Sequence, residues 1–168
     1  IIKGFITEVG YECTNHGVQV MGGHGYMREH GMEQLVRDCR ISTIYEGTTQ
    51  VQALDLLGRK TLLAQGKPLA RCAAQIRAFC ATQAGNETLR PHIEALSAKV
   101  DEWEQLTQQV MMKTMAGGLD EAGAASVDYL MYSGYVLVSY WWARMAAVSA
   151  ARLAAGTDDA AFHQAKLH

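Results

Sequence analysis

Fifteen consecutive residues, Tyr129 to Ala143, carry no formal charge, and Asp128 and Arg144 close the run. Such a run has to be shielded from water on most sides, either by lipid or by protein. A helix that crosses a bilayer needs ~20 predominantly apolar residues. This run is shorter and is interrupted by Ser133 and Ser139. The sequence therefore predicts a helix from about Asp120 to Ala155 with apolar residues on most faces, among them Leu130, Tyr135, Val138, Trp141, Trp142 and Met145. Its place is at the centre of a bundle or at a subunit interface.

The rest of the chain supplies helices for it to pack against. Ile93, Leu96, Val100, Trp103, Leu106 and Val110 recur at steps of three and four, and Gly117-Gly118 ends that helix. A further helix is expected over roughly Leu69 to Thr82, and another begins near Asp158. With only two prolines and three phenylalanines, the composition favours helices over strands. The fold class expected is all-α, a helical bundle. Gln65-Gly66-Lys67-Pro68 reads as a linker, dividing the chain into 1–64 and an added helical subdomain, 69–168.

The first of these parts opens with a helix on which Phe5, Val9, Cys13 and Val20 mark an inward face. Gly22-Gly23 ends it and Gly25 prolongs the loop. A short helix from about Met32 turns Leu35, Val36 and Cys39 inward. The β-branched and aromatic stretch Ile41 to Tyr45 then leaves the helical state before the turn at Glu46-Gly47. Thr48 is suited to cap a helix running to about Ala64. Arg37 and Arg40 are expected in structural ion pairs, and Arg59 and Lys60 as solvated charges at a helix C-terminus.

Fifteen basic against seventeen acidic residues argue against a broad nucleic-acid or anionic-membrane surface, since both want clustered positive charge. The cysteines at 13, 39, 72 and 80 have no C-x2-C spacing, which argues against zinc or a redox pair and for buried free thiols in a reducing compartment. No secretory leader is visible, so a cytoplasmic location is expected. On physical grounds alone, Gly22-Gly23-x-Gly25 is a helix cap and turn. Glu46 between Tyr45 and Gly47 is a surface turn with a carboxylate at its tip.

Three motifs in order carry the reading further: Gln19-Val20-x-Gly22-Gly23-x-Gly25-Tyr26, the pair Arg37-Asp38, and Ile44-Tyr45-Glu46-Gly47-Thr48-x-Gln50-x-Gln52. Together they resemble the C-terminal helical domain of the acyl-CoA dehydrogenase flavoenzymes. Residues 69–168 resemble the helical subdomain appended in longer bacterial members, the group that includes methylthiopropionyl-CoA dehydrogenase. The resemblance implies FAD as cofactor and an acyl-CoA thioester as substrate. Glu46 is then the base that removes the α-proton while the β-hydrogen leaves as hydride to flavin N5. Tyr45 and Gly47 would lie against substrate. Thr48 and Gln50 would contact FAD, and Gln19, Gly22 and Gly23 would serve FAD held by a neighbouring subunit. The same resemblance implies a homo-oligomer, electron-transferring flavoprotein as acceptor, and no metal. An acyl-CoA oxidase using O2 and a non-catalytic scaffold of the same fold are the alternatives. Because the resemblance covers only the C-terminal part of such an enzyme, this chain by itself is expected to be inactive.

Overall fold

A computed structural model describes residues 1–167, which form helices and turns with no strand among them. Helix α1 spans Ile2–Met21 and stops at Gly22, whose φ of 58° no longer fits a right-handed helix. A single helical turn, α2 (Gly23–Tyr26), occupies the segment expected as loop. It folds back so closely that a Cβ on Gly25 would meet the Val18 carbonyl oxygen at 2.5 Å. Only glycine fits that approach. Helix α3 follows (Met32–Arg40), then a 3₁₀ turn over Ile41–Thr43.

Helix α4 (Thr49–Leu54) passes without a break into a π-helical segment, Asp55–Leu62. Thr48 holds the N-cap position with extended backbone, but its side chain makes no capping hydrogen bond. Beyond the turn at Gln65-Gly66 come α5 (Lys67–Gln83), α6 (Arg90–Gly117), α7 (Leu119–Ala155) and the short α8 (Ala160–Ala165). Pro68 and Pro91 sit in the first turns of α5 and α6, where the missing N–H costs nothing.

The 37 residues of α7 make a rod of roughly 55 Å against which the rest is assembled. On one side, α5 and α6 bury Ile76, Leu96, Val100 and Trp103 against Tyr129, Val136 and Tyr140 of α7. On the other, Phe5 of α1 and Ala53 of α4 close over Leu130, which is wholly buried. Gly134 makes this second contact possible: a Cβ there would lie 2.1 Å from Phe5 Cδ2. A buried polar chain ties α6 to α7. Trp103 Nε1 donates to Ser133 Oγ (2.9 Å), Ser133 Oγ donates to the Tyr129 carbonyl (2.7 Å), and Thr107 Oγ1 lies 2.8 Å from the Tyr129 hydroxyl. Arg77 joins α5 to α6 through Asp101 and Glu104.

Several sequence expectations need correction. Cys13, Val20 and Leu35 are exposed. The distal half of α1 has only the nine-residue α3 and the α2 turn alongside, too little surface to cover its far face. Of the thiols, Cys80 alone is buried, Cys39 and Cys72 being half-buried. Among the described residues neither Arg37 nor Arg40 joins an ion pair. Arg40 instead donates to Thr43 Oγ1 at 3.1 Å and lies over the Tyr11 ring. Arg59 pairs with Asp55 one turn earlier rather than standing free. On α7 the apolar surface continues past the core, leaving Tyr135, Trp141, Trp142 and Met145 exposed on the outer face.

Candidate active site

Residues 41–52 build a turn whose form follows from its local chemistry. Thr43 is buried, and its hydroxyl donates to the Arg40 carbonyl at 3.1 Å, so the 3₁₀ turn is tied down where α3 ends. The chain then emerges at Ile44 and Tyr45, both about half exposed. At Glu46 the backbone enters the left-handed region with φ of 56°, followed by Gly47 at 92°. For a residue bearing a Cβ that conformation is sparsely populated and costs on the order of 1 kcal/mol. Among the described residues Gln65, before Gly66, is the other non-glycine residue in this region, at the linker. Strain of this kind persists only where neighbours over-determine it.

Here the neighbours can be named. Gln52 Nε2 donates to the Glu46 carbonyl at 3.0 Å, and Lys3 Nζ donates to the Gly47 carbonyl at 2.6 Å. The same ammonium lies 5.8 Å from the centre of the Tyr45 ring. Thr49 Oγ1 donates to Glu8 Oε1, fastening the start of α4 to α1. A Cβ on Gly47 would come within 2.8 Å of Gln52 Nε2, so glycine both permits the turn and leaves room for the amide that holds it. The Glu46 carboxylate is left exposed at the tip, with no hydrogen bond among the described residues.

The structure thus brings Tyr45, Glu46, Gly47, Thr48 and Gln50 together at one end of α1, beside Lys3 and Glu8. Gln19, Gly22 and Gly23 belong to the other end. Gln19 lies sixteen residues beyond Lys3 on the same helix, roughly 24 Å at the helical rise. The two sets do not converge within one copy of the chain. In both sets polar groups remain unspent: Thr48 and Gln19 are exposed and make no side-chain hydrogen bond among the described residues. Gln50 commits its amide nitrogen to Ser126 Oγ of α7, at 3.0 Å. These free hydroxyl and amide groups suit the hydroxyls, ring nitrogens and phosphates of a dinucleotide.

Lys3, Glu8, Gln52 and Ser126 are the residues that sequence reasoning did not single out. Lys3 and Glu8 lie on a helix whose legible signal is its apolar repeat, and nothing local marks a charge that will reach a carbonyl 44 positions away. Gln52 stood inside the third motif without a role of its own.

Two clefts lie elsewhere. One, of about 540 Å³, opens between α6, α7 and α8 and is lined by His92, Lys99, Trp142, Ala146 and Lys166 among others. A second, of about 470 Å³, runs along α1 and α7 past Glu8, Tyr11 and Met131. Glu46 lines neither. Among the described residues no cluster of His, Cys, Asp and Glu could hold a metal ion, and no helix is long and apolar enough to cross a membrane.

Known proteins resemble this chain along nearly its whole length. Residues 1–62 match the model of the acyl-CoA dehydrogenase C-terminal domain, and residues 72–168 match that of an acetyl-CoA dehydrogenase C-terminal-like family. A 3-methylmercaptopropionyl-CoA dehydrogenase of Ruegeria pomeroyi is 37% identical over 175 residues, which is 99% of this chain and 28% of that protein. A broad-specificity linear acyl-CoA dehydrogenase of Mycobacterium tuberculosis is 31% identical over 174 residues, again 99% of the chain and 28% of the relative. A butyryl-CoA dehydrogenase of Syntrophomonas wolfei is 35% identical over 83 residues, 49% of the chain and 14% of the relative. The chain therefore spans little more than a quarter of the relatives that match it throughout. Matched by family models over nearly all its length, it belongs to the acyl-CoA dehydrogenase family.

Proposed function

We propose that the protein to which this chain belongs is an FAD-dependent acyl-CoA dehydrogenase in which Glu46 removes the α-proton of an acyl-CoA thioester. The observation that carries the reading is the turn itself. A carboxylate stands at the tip of a left-handed backbone turn, held by Lys3 and Gln52 from two helices, inside the stretch matched by the family's C-terminal domain.

Abstraction of a weakly acidic α-proton asks for a base that is fixed in place and removed from water once substrate is bound. The two carbonyl anchors, on Glu46 and on Gly47, fix the backbone directly after the Glu46 Cα and so limit how far the carboxylate can swing. Substrate and the remainder of the enzyme would then cover the exposed tip, and a desolvated carboxylate is a stronger base. FAD, when bound, supplies the acceptor for the β-hydride. Thr48 and Gln50 would contact it from the first turn of α4. Gln19, Gly22 and Gly23, some 24 Å along α1, would meet a different copy of the cofactor. That separation supports a homo-oligomer in which each chain serves two sites. Tyr45 and Gly47 would line the substrate side. A cytoplasmic location and electron-transferring flavoprotein as the acceptor complete the proposal.

The test is Glu46→Gln in the full-length protein, assayed by acyl-CoA-dependent reduction of a dye acceptor. Amide for carboxylate keeps shape and removes basicity, so the rate is expected to fall by about 10²–10⁴. FAD content should stay unchanged. Activity within a few-fold of the parent would remove Glu46 from its role.

A further inference from the structure

We propose that Ser126 is a positioning residue for the flavin cofactor: it fixes which way the Gln50 carboxamide faces. This rests on the reading above that Gln50 contacts FAD. Ser126 lies on α7, outside the stretch matched by the acyl-CoA dehydrogenase C-terminal domain and inside the appended one.

Ser126 is completely buried. A serine hydroxyl has one hydrogen and two acceptor lone pairs. Ser126 Oγ donates its hydrogen to the Gly123 carbonyl at 2.9 Å, one turn back on its own helix. Toward Gln50 it can then only accept, and the group 3.0 Å away is the amide nitrogen Nε2. Were the carboxamide turned over, Oε1 would face a lone pair with no hydrogen between them. The amide is therefore locked with Nε2 toward α7 and Oε1 away from it, free of any donor among the described residues.

The lock is stiff because both ends are anchored. One turn beyond Ser126, Leu130 is wholly buried against Phe5 and Ala53. Just before Gln50, Thr49 is bonded to Glu8. Gln50 thus offers an acceptor, already oriented, to a hydroxyl or N–H of the cofactor, and a helix of the appended region does the orienting. Without the appended region, a residue at this position would have to choose its amide orientation when the cofactor binds.

The experiment uses the full-length protein, stripped of flavin and titrated with FAD, with binding read from flavin fluorescence. Ser126→Ala removes the acceptor, so the Gln50 amide is no longer oriented before FAD arrives, and FAD binding is expected to weaken by about threefold to tenfold. Gln50→Glu, a change at an exposed side chain, has no N–H to give Ser126 and should weaken FAD comparably. In a Gln50→Ala background, Ser126→Ala should have no further effect on FAD affinity, whereas a general loosening of α7 would add to it. If the parent protein binds FAD and both Ser126→Ala and Gln50→Glu bind it equally tightly, the proposal is overturned and the flavoenzyme reading stands. Additive losses in the double variant would overturn it too. A full-length parent that binds no FAD removes both.

Discussion

The contact between Phe5 and Gly134 decides whether α1 can lie against α7, and it lends itself to a quantitative test. Replacing Gly134 by Ala has two opposed effects. In the middle of a 37-residue helix, alanine is favoured over glycine by about 1 kcal/mol. Against that, the new methyl would sit 2.1, 2.3 and 2.7 Å from three atoms of the Phe5 ring. Ordinary contact begins near 3.4 Å, so the ring would have to retreat by more than an ångström. It cannot easily do so, being 4% exposed and packed edge-on to Tyr135 with ring centres 5.0 Å apart. Overpacking of this severity belongs at the upper end of the usual range, about 3 kcal/mol, which leaves a net destabilisation of about 2 kcal/mol. Urea unfolding of the chain followed by circular dichroism would measure it, together with Phe5→Ala and the double variant. Phe5→Ala alone should cost about 3–5 kcal/mol. In the Gly134→Ala background it should cost about 3 kcal/mol less, because removing the ring relieves the whole of the overpacking. The reasoning is refuted if Gly134→Ala is as stable as the parent, or if the cost of Phe5→Ala is the same in both backgrounds.

Three further outcomes follow from features of α5, α6 and α7 and of the cysteines. Trp103→Phe removes the donor to Ser133 from a buried site and should cost about 1–3 kcal/mol, whereas Trp142→Phe on the exposed face should stay within about 0.5 kcal/mol; urea titration separates them. The Lys99 ammonium, and after it the Tyr132 hydroxyl, hold the Glu102 carboxyl below the usual glutamate range. A depressed folded-state value means that the stabilisation is present above the unfolded-state value and is lost as pH falls through the folded one. The difference in melting temperature between the parent and Glu102→Gln should therefore shrink as the buffer is taken from about pH 6 to about pH 3; a constant difference would contradict the assignment. Finally, a thiol reagent should label exposed Cys13 first. Cys80, buried and with its thiol pushed up by desolvation, should react only on unfolding, which mass spectrometry of timed samples would resolve.

Much of this structure is legible in the sequence, and the boundary of legibility has a physical cause. Periodicity places α5, α6 and α7 to within a few residues, because a bundle core repeats the same demand every three or four positions. Glycines mark the ends of α1 and α6 because few other residues tolerate the conformations at Gly22 and Gly118. The Tyr45-Glu46-Gly47-Thr48 turn was visible too, but as composition, not as geometry. That Glu46 itself takes the left-handed conformation is set by Lys3 and Gln52, and donors arriving from another helix leave no trace in a local window. Exposure was misjudged at Cys13, Val20 and Leu35 for a related reason. Periodicity reports which residues share a face, not whether enough protein lies opposite to cover it. The same limit applies to Trp141 and Trp142, expected at the bundle centre or a subunit interface and exposed in this chain.

The π-helical segment Asp55–Leu62 has a consequence for how the chain can change length. In its wide turns Leu63 N donates to the Gly58 carbonyl and Thr61 Oγ1 to the Leu56 carbonyl, each reaching back five residues. Each such turn carries about one residue more than an α-turn would hold. Removing a single residue here would let the helix relax into ordinary α geometry, with Glu46 and the first turn of α4 left where they are. Elsewhere in α4 the same deletion would rotate every later side chain off its face by about 100°. Asp55–Leu62 is therefore where a homologue of this chain should gain or lose one residue most cheaply, like a slack loop in an otherwise taut line.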